Sequence, residues 1–175
     1  MDKCNNYETP HHYYPMVCQA KFNGVDESFY LSNNFTYENG ILALKPVFGK
    51  YMNWLGSIKR CQKYKSEPFI PRSESDWEWL RIVSSGIDDP LPHNLWLPAS
   101  DRNVEGILKW VPTEDATHDP FIPWAKNEVM RMNKNKRDCL QLWSGNGHLA
   151  SMDDCESVYN TLNNYYPMVC KATFR

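Results

Sequence analysis

Six cysteines are the side chains of this 175-residue sequence that can form covalent bonds with one another. They are Cys4, Cys18, Cys61, Cys139, Cys155 and Cys170. An even number of cysteines at hairpin-like spacings is typical of a disulfide framework, and disulfides persist in oxidising compartments. We therefore expect a secreted, extracellular protein. Zinc binding is the alternative use of cysteines, but the sequence has no Cys-x2-Cys pair of the kind that structural zinc sites contain.

The segment 126–137 has the charge to bind an anion. Its cations are Lys126, Arg131, Lys134, Lys136 and Arg137, and its acid is Glu128. Five positive charges and one negative charge give a net charge of +4. Such a segment repels a divalent cation and attracts a sulfated glycan or an acidic protein surface. The alternative is a solvated loop tip without a ligand.

Catalytic motifs are missing from the sequence. It has no Gly-x-Ser-x-Gly, no His-Glu-x-x-His and no phosphate-binding loop. The five histidines are scattered, and none stands at a ligand spacing from the acids or the thiols: His11, His12, His93, His118 and His148. We therefore expect that the protein is not an enzyme.

The net charge and the hydropathy of the sequence argue against nucleic acid as a partner and against a membrane span. The net charge of −2 argues against a dedicated nucleic-acid binder, and no apolar run reaches the length of a membrane span. Asn34 begins an Asn-Phe-Thr triplet, a predicted glycosylation acceptor that fits a secreted protein. The sequence starts in polar residues, so we expect that a leader was removed or that the sequence is part of a longer chain.

The elements that must position these residues are short. Residues 57–64 and 73–85 have helical apolar spacing, while strands are predicted at 95–97, 107–111, 140–143 and 168–174. Phe29–Leu31 and Ile41–Leu44 flank Asn39-Gly40, which predicts a β-hairpin, followed by a strand from Val47 to Trp54. The stretch from Pro112 to Cys139 is a long loop, and such loops are usually functional or disordered.

Residues 13–22 repeat residues 165–174, with eight of ten positions identical. Cys4 and Cys18 also echo Cys155 and Cys170. One interpretation is that residues 1–22 are the closing segment of a preceding domain in a tandem array. The alternative is a local duplication that forms an N-terminal hairpin closed by Cys4–Cys18.

The second half of the sequence resembles a C-type lectin-like domain. The residues that carry the resemblance are Trp96-Leu97-Pro98-Ala99-Ser100-Asp101, Glu105-Gly106, Trp110, Trp124-Ala125, Asp138-Cys139, Trp143, Gly147, Cys155 and Pro167-Met168-Val169-Cys170. The resemblance implies an α+β fold in which two helices flank small antiparallel sheets, with the ligand-binding loop at 112–138. It also implies the disulfides Cys61–Cys170 and Cys139–Cys155, which leaves Cys4–Cys18 by elimination. We expect three regions: 1–22, a β-rich linker or opening hairpin at 23–56, and the lectin-like domain at 57–175.

The calcium ligands of sugar-binding members are mostly lost when they are carried over one position at a time. The acid-Pro-Asn triplet falls on Glu128-Val129-Met130, so one acid is retained. The next acid falls on Arg137, and the Trp-Asn-Asp position falls on Leu149-Ala150-Ser151. Calcium takes six to eight oxygen ligands, so this set is poor. Arg137 is instead placed to form an ion pair with Glu128, in the position of the cation.

Some members have a second calcium site that uses the acid before the third cysteine. Asp138 matches that position, and Asp115 or Asp119 are candidates to assist, with Glu128 as a further weak candidate. The alternative is that these acids are solvated loop residues. We therefore expect no cofactor, with calcium at a displaced site as the alternative.

Three functions remain. The first is an extracellular recognition module that binds a protein or an acidic glycan without calcium, through the loop 112–138. The second is a structural unit that self-associates in a tandem array. The third is a calcium-dependent carbohydrate-binding lectin with a displaced site.

Overall fold

The computed structural model describes residues 26–47, 50–85, 93–113, 121–128, 136–158 and 164–174. Three helices lie in these ranges: α1 (Glu27–Ser32), α2 (Trp54–Lys63) and α3 (Glu74–Ser85). The strands, in chain order, are β1 (Thr36–Glu38), β2 (Ile41–Leu44), β3 (Ser66–Pro68), β4 (His93–Ser100), β5 (Lys109–Trp110), β6 (Cys139–Trp143), β7 (Leu149–Asp153), β8 (Asn164–Tyr166) and β9 (Cys170–Ala172). No helix in these ranges is both long and apolar enough to cross a membrane.

The strands form two sheets. The first has the order β1-β2-β9-β3 with antiparallel pairs, so the closing strand β9 is held between two others. The second has the order β5-β4-β6-β7, and β8 pairs in parallel with β4. The predicted α+β class with two main helices is confirmed. The 23–56 segment contributes β1 and β2 to the same sheet as β9.

Two predictions for the opening segment are wrong. Phe29–Leu31 lies in α1 and not in a strand, because Asp26 caps a helix by accepting a hydrogen bond from the Phe29 backbone N–H at 3.0 Å. The predicted turn at Asn39-Gly40 does form, but its first strand is β1. The strand expected up to Trp54 is also absent from the described part of that stretch. Asn53 Oδ1 accepts from the Gly56 N–H at 2.8 Å and begins α2 at Trp54.

The predicted apolar faces of the two main helices pack as expected. The stripe of α3 buries Trp77 and Leu80 against the second sheet, and the Trp77 and Trp110 rings lie 6.3 Å apart. On α2, the predicted Ile58 and Cys61 are buried, and the predicted Tyr64 is half-buried at the C-cap. Trp54, which was predicted in a strand, extends the buried face of the helix. Burial of each large apolar side chain contributes roughly 1.5–3 kcal/mol.

Two disulfides connect distant parts of the described chain. Cys61 on α2 bonds Cys170 on β9, and Cys139 on β6 bonds Cys155 just after β7. These are the pairs that the sequence resemblance implies. The first bond fastens α2 to the central strand of the first sheet, while the second closes the β6–β7 hairpin. Cys4 and Cys18 lie outside the described residues.

Candidate functional site

The long loop is fastened to the second sheet by its central segment, residues 123–128. The Ala150 N–H donates to the Pro123 carbonyl at 2.9 Å, and the Ala125 N–H donates to the Ala150 carbonyl at 2.9 Å. Trp124 therefore forms a parallel bridge with Ala150 on β7. These bonds satisfy backbone groups that would otherwise be costly to bury, and they set where Glu128 lies.

Glu128 turns its carboxylate into the protein. Its side chain is 3% exposed, and Oε2 accepts a hydrogen bond from the Met152 backbone N–H at 3.3 Å. Arg137 Nη2 lies 3.8 Å from the same oxygen, and the Arg137 side chain is 33% exposed. A carboxylate that is removed from water requires compensating charge or hydrogen bonds. The guanidinium and the backbone N–H of β7 supply both.

This arrangement does not fit the calcium site of sugar-binding members. Calcium needs several oxygen ligands, whereas Glu128 Oε2 faces a cation and an N–H donor, neither of which can coordinate a metal. Ala150 offers no side-chain oxygen, and Ser151 is fully buried. The ion pair that the sequence predicts between Arg137 and Glu128 is therefore present, and a divalent cation here would meet the Arg137 charge.

Asp138 lies beside a second pair of acids that the sequence analysis did not select as ligands. The Asp101 N–H donates to the Asp138 carbonyl at 3.1 Å, and Asp101 Oδ2 accepts from the Gly106 N–H at 3.0 Å. Burial raises the pKa of the Asp101 carboxyl, with repulsion from Asp138 as a smaller cause. The pKa of Glu105 is raised as well, first by desolvation and then by Asp101 and Asp138.

Asp101, Glu105 and Asp138 repel one another, but they do not form a cluster that could hold a metal ion. Across the described ranges, no group of three or more His, Cys, Asp or Glu side chains is placed to hold an ion. The signal that could have identified the pair in the sequence is the motif itself, since Asp101 and Glu105 both belong to the quoted lectin-like residues.

The remaining predicted site residues divide between described and undescribed parts of the chain. Asp115, Asp119, Arg131 and Lys134 lie outside the described residues, so their roles stay predictions. Lys136 is exposed and has a positive φ of 65°. Asn34 is exposed in the turn between α1 and β1, a position that is accessible to a glycosylating enzyme.

A cationic groove that has no signature in the sequence lies against α2 and the first sheet. Its volume is about 440 Å³, and Leu44, Val47 and Met52 supply an apolar part of its lining. The cations that line it are Lys50, Lys59, Arg60 and Lys63. Arg60 is held by the Lys45 and Met168 carbonyls at 2.8 and 3.1 Å. None of the described residues of the loop 112–138 lines this groove.

Comparison with known proteins gives distant sequence relatives. No family model matches the chain. The CD209 antigens of Papio hamadryas and Chlorocebus aethiops are each 30% identical over 100 residues, which is 54% of this chain. The matched region is 25% and 23% of their respective lengths, so the chain spans about a quarter of these curated relatives.

Solved structures match over most of the chain. The C-type lectin CEL-I from Cucumaria echinata has a TM-score of 0.62 at 18% identity and covers 81% of this chain and 96% of its own. The trimeric Kupffer cell C-type lectin receptor Clec4f has a TM-score of 0.60 at 20% identity, with 82% and 85% coverage. A calcium-independent type II antifreeze protein has a TM-score of 0.57 at 13% identity, with 79% and 91% coverage. The chain therefore has the C-type lectin-like fold, which is the fold that the sequence resemblance implies.

Proposed function

We propose that this protein is an extracellular recognition module that binds an acidic ligand without calcium, through the loop 112–138. The ligand is a sulfated or carboxylated glycan, or an acidic surface of a protein. The observation that carries the proposal is the contact of Glu128 with Arg137 and with the Met152 N–H. In this contact, Glu128, the one acid that matches the sugar-binding motif, is part of an internal ion pair.

The fold supports a binding role. C-type lectin-like domains are non-enzymatic binding modules, and disulfide-bonded ones are typical of extracellular proteins and receptor ectodomains. The matched antifreeze protein is named as calcium-independent, so this fold is compatible with the absence of a calcium requirement. Both disulfides of the described chain agree with an oxidising compartment.

The charge of the loop favours an acidic ligand. The segment 126–137 has a net charge of +4, while the whole chain has a net charge of −2. Positive charge is therefore concentrated on the second part of the loop, because the whole loop 112–138 has five Lys or Arg and five Asp or Glu residues. Exposed charge of one sign on a loop attracts an opposite partner at long range, and salt screens that attraction.

Heparin, a sulfated polysaccharide, is a suitable probe for this loop. We expect the chain to bind immobilised heparin with an affinity that falls as sodium chloride rises, and that does not change with calcium or a chelator. The variant Arg131→Ser/Lys134→Ser/Lys136→Ser leaves Arg137 in its pair with Glu128. We expect about tenfold weaker binding, which corresponds to about 1.4 kcal/mol, and a shallower salt dependence.

The matched control removes three lysines from the cationic groove instead. The variant Lys50→Ser/Lys59→Ser/Lys63→Ser changes the net charge by the same amount and leaves the loop intact. If binding depends on the loop, this control keeps its affinity apart from a small general effect of charge. Equal affinity of the loop variant and the wild type would contradict the role of the loop, and a loss in the groove variant alone would assign the anion to the groove.

A further inference from the structure

The repeat at the two ends of the chain extends beyond the ten-residue motif. The two copies are offset by 152 residues, which is 170 minus 18. At the same offset, Tyr7 matches Tyr159 and Thr9 matches Thr161. Ten of the sixteen positions from 7 to 22 are therefore identical at this offset, eight of them within residues 13–22.

The tyrosines of the C-terminal copy fill a slot that is lined by β4 of the second sheet and by the segment that leads into α2. The Tyr165 ring stacks on Trp96 with centroids 4.9 Å apart, and its hydroxyl donates to Asp153. The Tyr166 ring lies 5.2 Å from the Tyr51 ring and 4.6 Å from the His93 ring. Both tyrosines are buried, so their shapes must match the walls of the slot.

The same copy continues as the central strand of the first sheet. β9 pairs with β2 on one side and with β3 on the other. The Val169 carbonyl accepts from the Phe69 N–H at 2.9 Å, and Cys170 bonds Cys61. This segment therefore joins α2 and both sheets, and the domain depends on it for closure.

The positions that are identical in the two copies are mostly positions whose side chains are buried in the C-terminal copy. Residues 165–170 and Ala172 are buried, and all of these positions are identical in the N-terminal copy. The two differences are Gln19 for Lys171, which is exposed, and Lys21 for Thr173, which is half-buried at the end of the strand. The exception is Phe22, which is identical to the exposed Phe174. The buried positions of the segment are therefore kept more fully than the other positions.

The disulfide pattern extends the comparison. Cys155 and Cys170 are not bonded to each other, since Cys155 bonds Cys139 and Cys170 bonds Cys61. Cys18 corresponds to Cys170 at the offset of 152, and Cys4 corresponds to Cys155 after a shift of one residue, because 155 minus 4 is 151. By this correspondence they take two separate partners, and the four described cysteines are already paired with one another.

We propose that residues 1–22 are the closing segment of a second C-type lectin-like domain, in which Cys18 and Cys4 take the roles of Cys170 and Cys155. The partner domain supplies a slot with an aromatic wall and two cysteines equivalent to Cys61 and Cys139. Each bond forms when two thiols give two protons and two electrons to a disulfide oxidant such as oxidised glutathione, which leaves as two thiols. This proposal does not depend on the function of the loop.

The slot of the chain itself provides the test. In the full chain with Cys170→Ser, the Cys61 thiol has lost its partner, and the N-terminal copy carries every buried side chain that fits beside it. After refolding with oxidised glutathione, peptide mapping by mass spectrometry should find Cys18–Cys61, within one chain or between two, at least ten times more often than Cys4–Cys61. Equal capture by both cysteines would overturn the proposal.

A matched control separates fit from simple proximity. The variant Cys170→Ser/Tyr13→Ser/Tyr14→Ser/Met16→Ser keeps the same thiols but loses three side chains that fill the slot. We expect Cys18–Cys61 to fall at least tenfold, and an unchanged yield would overturn the proposal. In the wild-type chain, Cys4 and Cys18 should be alkylated without reduction or bonded to another molecule. A Cys4–Cys18 bond within one chain would also overturn it.

Discussion

Arg137 Nη2 lies 3.8 Å from Glu128 Oε2, so a guanidinium stands beside the one acid that this chain retains from the sugar-binding motif. Two unit charges at about 4 Å attract by about 4 kcal/mol at an effective dielectric constant of about 20, before the cost of desolvation. The pair joins the last residue of the central segment, Glu128, to Arg137, which lies two residues before β6. The contact therefore holds together the two positions of the loop that flank residues 129–136.

Loss of the Arg137 charge should destabilise the domain. Arg137→Ala leaves the Glu128 carboxylate buried without this guanidinium, and we expect the free energy of unfolding to fall by about 1–2 kcal/mol. Urea denaturation measures the change. The double variant Arg137→Ala/Glu128→Gln should recover part of the loss, because it removes the buried charge. Equal stability of Arg137→Ala and the wild type would mean that the pair contributes nothing.

The hydroxyl of Tyr30 should be important for the opening helix. It donates to the Lys65 carbonyl at 2.7 Å and accepts from the Thr173 N–H at 3.3 Å, in a fully buried site. We expect Tyr30→Phe to lower the free energy of unfolding by about 1–3 kcal/mol, because the Lys65 carbonyl and the Thr173 N–H lose the hydroxyl as a hydrogen-bond partner. The control Tyr37→Phe removes a hydroxyl from a side chain that is 62% exposed. A change within about 0.5 kcal/mol is expected there, and similar losses in both variants would contradict the assignment.

The two disulfides should differ in how much they stabilise the fold. Cys61 and Cys170 are 109 positions apart, whereas Cys139 and Cys155 are 16 apart. In the chain-entropy description, closing the longer loop contributes roughly 4.7 kcal/mol and the shorter one roughly 3 kcal/mol. We expect Cys61→Ser/Cys170→Ser to lower the unfolding midpoint in urea further than Cys139→Ser/Cys155→Ser. The reverse order would show that native-state packing outweighs chain entropy.

Stability should fall at mildly acidic pH because of His148. Burial lowers the pKa of its imidazole below the usual 6.5, with the charge of Arg81 and then His93 as smaller causes. The folded state therefore binds fewer protons than the unfolded state, and stability is lost as pH falls below about 6.5. The Nδ1 atom of His148 lies 2.8 Å from the Ser84 hydroxyl oxygen. The backbone of His148 has a positive φ of 59°.

His148→Asn tests this pH dependence with a residue that tolerates the left-handed backbone. We compare urea midpoints at pH 7.5 and pH 5.5. The wild type should lose more stability between the two pH values than the variant does. Parallel losses in both proteins would place the pH dependence on other groups.

The sequence predicts the elements whose pattern is local. The stripe of Trp77 and Leu80 and the turn at Asn39-Gly40 form where the pattern places them. The error at Phe29–Leu31 arises because a cap decides the structure of this short apolar run. Asp26 stands one residue before a helix that has only six residues, too short to show a clear period.

The site is predictable only in part, for a physical reason. The replacement of an acid by Arg137 predicts an ion pair with Glu128, because a lost cation leaves a charge to be neutralised. The Met152 N–H was not predicted, since a backbone donor has no side-chain signature and depends on the register of β7 against the loop. The sequence does not predict the cationic groove, because Lys50 and Lys63 come to line one groove only through the folding of the chain and not through their spacing.

A glycan-array screen of the full chain, carried out once with calcium and once with a chelator, tests the central claim most directly. Recognition without calcium predicts binding confined to sulfated or carboxylated glycans, equal in the two conditions and lost as salt is raised. Binding to neutral sugars that disappears with the chelator would contradict this account. It would mean that oxygen ligands elsewhere in the chain hold a calcium ion, and that the pair of Arg137 and Glu128 is not a substitute for it.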